Sequence, residues 1–164
     1  MASLKDKIIV LTGASRGIGA AAARELATDG AHLVLCARSA DACAETKAAV
    51  EALGATAEVH GFEVADFDAA KSFVDGVLAD HGRIDILINN AGTGLMGSVA
   101  DVKPDAYLEV LKINVMGPYN LISAVLPSMT ARDDGIIINI TSARAFIPDR
   151  FYAAYCSSKA ALLS

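Results

Sequence analysis

A chain of 164 residues that is 54% hydrophobic but only 5% aromatic carries enough apolar side chain for one compact domain with an Ala, Val, Ile and Leu core. A net charge of -5 without a basic cluster argues against nucleic acid or an anionic membrane as the main partner. Met1 to Lys7 carries charges rather than an apolar run, and no stretch is long enough to span a bilayer; neither a signal peptide nor a membrane anchor is predicted, and the expected location is the cytoplasm.

In chain order, Ile8-Ile9-Val10-Leu11-Thr12 is a short continuous apolar run, the pattern of a buried parallel strand. It enters the turn Gly13-Ala14-Ser15-Arg16-Gly17-Ile18-Gly19, and Ala20 to Asp29 continues as a helix with Gly30 placed as its terminating glycine. His32 to Ala37 is a second strand, with His32 a strand-end or surface residue rather than a ligand. Ser39 is placed to cap a helix that runs to Leu53 and ends at Gly54. Thr56 to Phe62 supplies a third strand, Asp66 caps a helix reaching His81, and Gly82 stops it. Ile84 to Asn89 is the fourth strand. Three times a helix closes on glycine and a strand follows, the grammar of a doubly wound parallel α/β sheet with right-handed crossovers.

Pro104 fits the first turn of the next helix, and apolar residues recur at helical spacing from Tyr107 to Val125. Gly117-Pro118 predicts a bend or break near Asn114. Asp133-Asp134-Gly135 makes a turn before a fifth buried strand, Ile136 to Thr141, and Phe151 to Ser164 opens a last helix. Cys36, Cys43 and Cys156 lack metal-ligand spacing and read as reduced packing residues.

The chemistry is expected where the open ends of strands one, four and five converge. Gly13 permits a tight turn, Gly17 allows close approach of a diphosphate, and Gly19 lets the following helix pack near its strand. The N-terminus of that helix offers unpaired N–H groups and a partial positive charge. Asn89-Asn90-Ala91-Gly92 follows the fourth strand at the same end, small enough for a flat nicotinamide-ribose to lie against the backbone. Tyr155 and Lys159, four apart, project from one helical face. An ammonium about 4 Å from a phenol, at an effective dielectric near 20, supplies roughly 4 kcal/mol toward its ionisation. Such a pair is poised for proton transfer near working pH. Ser142 lies thirteen positions before Tyr155, at the end of the fifth strand and aimed at the same crevice.

The T-G-x-x-x-G-I-G turn together with Ser142, Tyr155 and Lys159 resembles the short-chain dehydrogenase/reductase family, and the match runs from Thr12 to Lys159. The resemblance implies a Rossmann-like sheet of five strands in the order 3-2-1-4-5. It also implies an enzyme that interconverts a carbonyl and a secondary alcohol by hydride transfer. Ser142 would polarise the substrate oxygen, Tyr155 would act as acid or base, and Lys159 would assist Tyr155 and bind the nicotinamide ribose. Asn114 would support a water-linked proton relay, its side chain freed by the helix bend. Thr12, Gly13, Ser15, Arg16, Gly17, Ile18 and Gly19, with Asn90, Ala91 and Gly92, would hold the dinucleotide.

An acid at the end of the second strand selects NAD through the ribose 2′-OH. Ala37 stands there instead, followed by Arg38 and Ser39, with Arg16 in the glycine turn. Two guanidinium groups suit a 2′-phosphate, so NADP(H) is predicted as the preferred cofactor, with NAD(H) possible. Glu63-Val64 occupies the place of the family's Asp-hydrophobic pair near the adenine. Family members continue beyond the Tyr155 helix with two more strands and a substrate-covering loop, so a fragment is expected, with the fifth strand an exposed apolar edge. A catalytically silent nucleotide-binding or oligomerising piece is the competing expectation. Thr93 to Met96 and Ala145 to Pro148 are mostly apolar and predict a fairly hydrophobic small-molecule substrate. Family habit implies a homo-oligomer, a dimer or tetramer.

Overall fold

The computed structural model describes residues 3–164; Met1 and Ala2, part of the charged opening, lie outside the described residues. Five parallel strands form one sheet in the order β3-β2-β1-β4-β5. They are β1 (Ile8–Thr12), β2 (His32–Ala37), β3 (Thr56–Gly61), β4 (Ile86–Asn89) and β5 (Ile136–Asn139). Helices α1 (Gly17–Thr28), α2 (Ala44–Ala52), α3 (Phe67–His81), α4 (Pro104–Leu111), α5 (Gly117–Arg132) and α6 (Ala153–Leu163) complete the described elements, with short turns between them.

Alternation along the strands splits the core in two, because successive side chains leave a strand on opposite faces. Ile8, Val10, Val34 and Leu87 join Phe73, Val74 and Val125 on one face, under α3 and α5. Ile9, Leu11, Leu33, Leu35 and Ile88 join Ala23, Ala27 and Val50 on the other, under α1 and α2. Burial on both faces is why the central strands carry unbroken apolar runs. The edge differs: β5 alternates exposed and half-buried residues, with Ile136 53% and Ile138 40% exposed. The expected apolar edge is present, whereas full burial of the fifth strand is not.

Several boundaries shift for local reasons. The first helix begins at Gly17, three residues earlier than its alanine run, with Arg16 at its cap. Ser39 makes no capping bond; Ala40–Cys43 forms a 3-10 turn first and α2 starts only at Ala44. Gly117-Pro118 does not break the long helix. A wide π turn at Lys112–Met116 absorbs the bend just ahead of Pro118, which has no N–H to donate. The third and fifth strands end at Gly61 and Asn139, and the fourth starts at Ile86. Asp66 does cap α3, accepting the Ala69 N–H at 3.0 Å, and Gly82 ends it in the left-handed conformation.

Asp85 sits just before β4 and is buried. Its Oδ2 accepts the Ile8 N–H at 2.9 Å and the Arg83 Nε–H at 3.1 Å, while Lys7 Nζ lies 3.7 Å from Oδ1. One carboxylate thus fixes the starts of β1 and β4 together. Asp85→Ala strands the buried Ile8 N–H and should cost about 3 kcal/mol, the upper end for a hydrogen bond to a charged group. Urea unfolding measures this; a change below about 0.5 kcal/mol, the scatter of ordinary surface substitutions, would contradict it.

Candidate active site

The carboxyl ends of β1 to β4 border a cleft of about 720 Å³ lined by Gly13, Ser15, Arg16, Gly17, Ile18, Arg38, Glu63, Val64, Asn90, Ala91 and Gly92. Eleven residues singled out in the sequence therefore share one concavity. Ala37 and Thr93, both placed at this end of the sheet by the sequence, line it too, and Cys36, Ala42, Phe62 and Ile113 also line it and were missed by motif reasoning. Their signal is positional: Cys36 and Phe62 stand at strand ends that the topology brings beside the glycine turn.

The turn is shaped by what it lacks. Gly13 has φ of +65, and a Cβ there would stand 2.8 Å from the Ala91 Cα. At Gly19 a Cβ would collide with the Gly13 carbonyl oxygen and meet Asn90 Nδ2 at 2.7 Å. Gly19 therefore seats the helix against the turn itself rather than against the strand. No side chain caps α1, so its first N–H groups stay free to receive an anion. Thr12, Gly19 and Ser39 are absent from the cleft wall. Thr12 is buried, and its Oγ1 accepts the N–H groups of Asn90 and Ala91, both at 3.0 Å. Asn90 Nδ2 donates to the carbonyls of Thr12 at 2.9 Å and Gly13 at 3.1 Å. These bonds lock the β1 turn to the β4 loop. Thr46 Oγ1 adds a buried bond to the Ala14 carbonyl at 2.9 Å, a second brace that no motif signalled. Ser39 is exposed beside the close approach of Gly61 to Ala40.

Free N–H groups, a glycine floor without side chains and two exposed guanidiniums on the rim suit a phosphate-bearing dinucleotide. Burial pushes the Cys36 thiol well up and the Cys43 thiol up, which keeps both protonated and unreactive. All three cysteines are free and buried, as the sequence led one to expect.

At the other end of the cleft, α6 supplies Tyr155 and Lys159. Lys159 is buried, donates from Nζ to the Ile140 carbonyl at 2.7 Å and lies 5.9 Å from the centre of the Tyr155 ring. Burial lowers its pKa. The same Nζ is 3.6 Å from the point where a Cβ on Gly92 would stand, and a Cβ on Gly94 would lie 3.9 Å from Tyr155 Cδ2. The β4 loop therefore runs directly past the pair. Ser142 opens a 3-10 turn, Ala143–Ala145, that packs on α6, and its Oγ accepts the Arg144 N–H at 3.2 Å.

Asn114 departs from expectation. Its backbone lies in the π turn, but its side chain is fully committed rather than freed. Oδ1 accepts the Thr93 N–H at 2.8 Å; Nδ2 donates to the Thr93 carbonyl at 2.8 Å and to Ser158 Oγ at 2.9 Å. A fully buried amide must satisfy its polar atoms, and these are the partners in reach. Ser158 in turn donates to the Tyr155 carbonyl at 2.7 Å, so Asn114 ties the β4 loop to the helix of the Tyr–Lys pair.

The family model described as short chain dehydrogenase matches residues 7–164. Dehydrogenase/reductase SDR family member 7B of Bos taurus is 36% identical over 96% of this chain and 50% of its own length. A fatty acyl-CoA reductase of Acinetobacter baylyi is 34% identical over 98% of this chain and 55% of its own. The chain spans about half the length of the curated relatives it matches. Among solved structures, a metagenomic short-chain oxidoreductase in complex with NADP superposes with a TM-score of 0.94 and 42% identity, over 99% of this chain and 74% of that one. NAD+-bound xylitol dehydrogenase gives 0.94 and 33%, over 99% and 63%.

Proposed function

The chain belongs to the short chain dehydrogenase family, and on that premise we propose that it serves an oxidoreductase interconverting a carbonyl and a secondary alcohol on a small, fairly apolar substrate. The observation that carries this reading is the run of the β4 loop from the glycine-turn cleft to the Tyr155–Lys159 pair. A nicotinamide dinucleotide, when bound in the cleft, supplies or accepts the hydride. Gly13, Ser15, Gly17 and Ile18 would receive its phosphates, and Asn90, Ala91 and Gly92 its nicotinamide end.

Tyr155 donates a proton to the substrate oxygen during reduction and takes it back during oxidation. Lys159, held by Ile140, keeps a positive charge beside the phenol and contacts the nicotinamide ribose. Ser142 fixes the substrate oxygen with its hydroxyl. Asn114 is a positioning residue, through its backbone bend and its bonds to Thr93 and Ser158. Ketone-dependent oxidation of NADPH is expected; a panel of ketones and secondary alcohols with none accepted would count against this function.

The cofactor preference rests on Arg16 and Arg38, both exposed on the cleft rim, with no acid at the end of β2. Arg38→Ala should weaken NADPH binding about tenfold, corresponding to about 1.4 kcal/mol, and leave NADH binding unchanged. Equal losses for the two cofactors would reject a 2′-phosphate contact. Exposed Leu108 on α4, Met116 in the π turn, and Tyr119 and Leu126 on α5 support a homo-oligomer, and the net charge of -5 fits a cytoplasmic location. Among the described residues no helix is long and apolar enough to cross a membrane.

A further inference from the structure

All three histidines of the chain gather around one carboxylate, Glu58 of β3. His32 opens β2 and pairs in register with Thr56; Glu58 follows two residues along β3, so both side chains share one face. His81 closes α3 above that face. Its Nε2 stands 3.0 Å from Glu58 Oε1, and His32 Nε2 stands 3.9 Å from the same oxygen. One ligand atom from each of the three lies within 4.8 Å of the others. We propose that His32, Glu58 and His81 form a binding site for a zinc-like divalent cation.

Tetrahedral zinc with bonds of about 2.0–2.1 Å places its ligand atoms about 3.3 Å apart. The observed separations of 3.0 Å and 3.9 Å from Glu58 Oε1 bracket that spacing. His32 Nε2 is a second, separate observation: it is buried and has no hydrogen-bond partner among the described residues. Buried polar atoms without partners are rare, and a cation in the gap between the three groups supplies one. Two imidazoles with one carboxylate select zinc and its first-row neighbours over magnesium and calcium, which prefer oxygen ligands throughout. The side chains are only partly exposed, 22%, 32% and 20% for His32, Glu58 and His81, which leaves an entry path and room for water in the fourth position. His60, 3.8 Å from Glu58 Oε1 but packed on Phe73, stands outside the three-ligand set. A bound ion would clasp β2, β3 and the end of α3 without touching the dinucleotide cleft.

The test is calorimetric titration of zinc alone into the metal-free chain, with cobalt(II) as a spectroscopic probe. One saturable site per chain, a rise in Tm and the visible bands of tetrahedral cobalt are expected. Outer partners of metal sites are worth 10–100-fold in affinity, so Glu58→Gln and His81→Gln, which remove ligands, should each weaken zinc at least about 100-fold. His60→Gln should stay within about tenfold of the unaltered chain, because His60, at 3.8 Å from Glu58 Oε1, lies beyond hydrogen-bond distance. NADPH binding by each variant reports that it is folded. Absence of saturable binding by the unaltered chain, or affinity unchanged in Glu58→Gln and His81→Gln, overturns the site. Should a variant not fold, the cobalt spectrum of the unaltered chain decides alone: octahedral, weakly coloured cobalt rejects it.

Discussion

Replacing Tyr155 by phenylalanine should reduce carbonyl-dependent NADPH oxidation by about 10²–10⁴-fold while leaving cofactor affinity and stability nearly unchanged. The substitution removes one oxygen and keeps the ring. That ring makes an edge contact with Tyr152 at 6.5 Å between centres and lies near Gly94, and neither contact needs the hydroxyl. The Ser158 bond on this turn goes to the Tyr155 carbonyl and survives. Losses in stability and rate together would instead mean that the phenol holds α6 in place. Full retention of turnover would remove Tyr155 from the proton-transfer role.

One substitution made at two glycines should move stability in opposite directions. Gly76 lies exposed within α3, and a Cβ there meets nothing within 4 Å. Gly76→Ala should stabilise by about 0.5–1 kcal/mol, because alanine loses less conformational entropy in a helix. At Gly19, near the start of α1, that same gain is available but a backbone oxygen and Asn90 occupy the space. Overpacking of this kind costs about 1–3 kcal/mol, and a carbonyl cannot rotate aside as a side chain can. The clash wins. Gly19→Ala should therefore lower stability by about 2 kcal/mol and, by reshaping the turn, weaken NADPH binding more than tenfold. Thermal unfolding with a dinucleotide titration reads both. Stabilisation at Gly19, or unchanged binding, would show that the turn tolerates displacement.

Most of this fold was legible because its signals are local and repeated. Apolar runs next to glycine turns mark β1, β2 and β4, and Asp66 with Gly82 brackets α3 as a cap and stop should. The strand order and the gathering of eleven site residues in one cleft followed from a family resemblance that periodicity alone could not supply. What escaped was decided by tertiary contact. Nothing local distinguishes a π turn at Asn114 from a break at Gly117. A Cβ on Gly117 would stand 2.7 Å from Val64 Cγ2, so that glycine serves close packing against the β3 exit loop, far along the chain. The buried bonds of Thr12, Thr46 and Asn114 join residues 21 to 79 positions apart. Spacing motifs do not reach so far.

The central claim is that the Gly13–Gly19 turn and the β4 loop form a nicotinamide-dinucleotide site whose far end is the Tyr155–Lys159 pair. The chain contains no tryptophan, so nicotinamide fluorescence can be followed in a titration without indole emission beneath it. Saturable binding of one NADPH per chain is expected, tighter than NADH and weakened more than tenfold in Gly19→Ala. Binding that does not saturate, or that is the same in Gly19→Ala as in the unaltered folded chain, would contradict that claim.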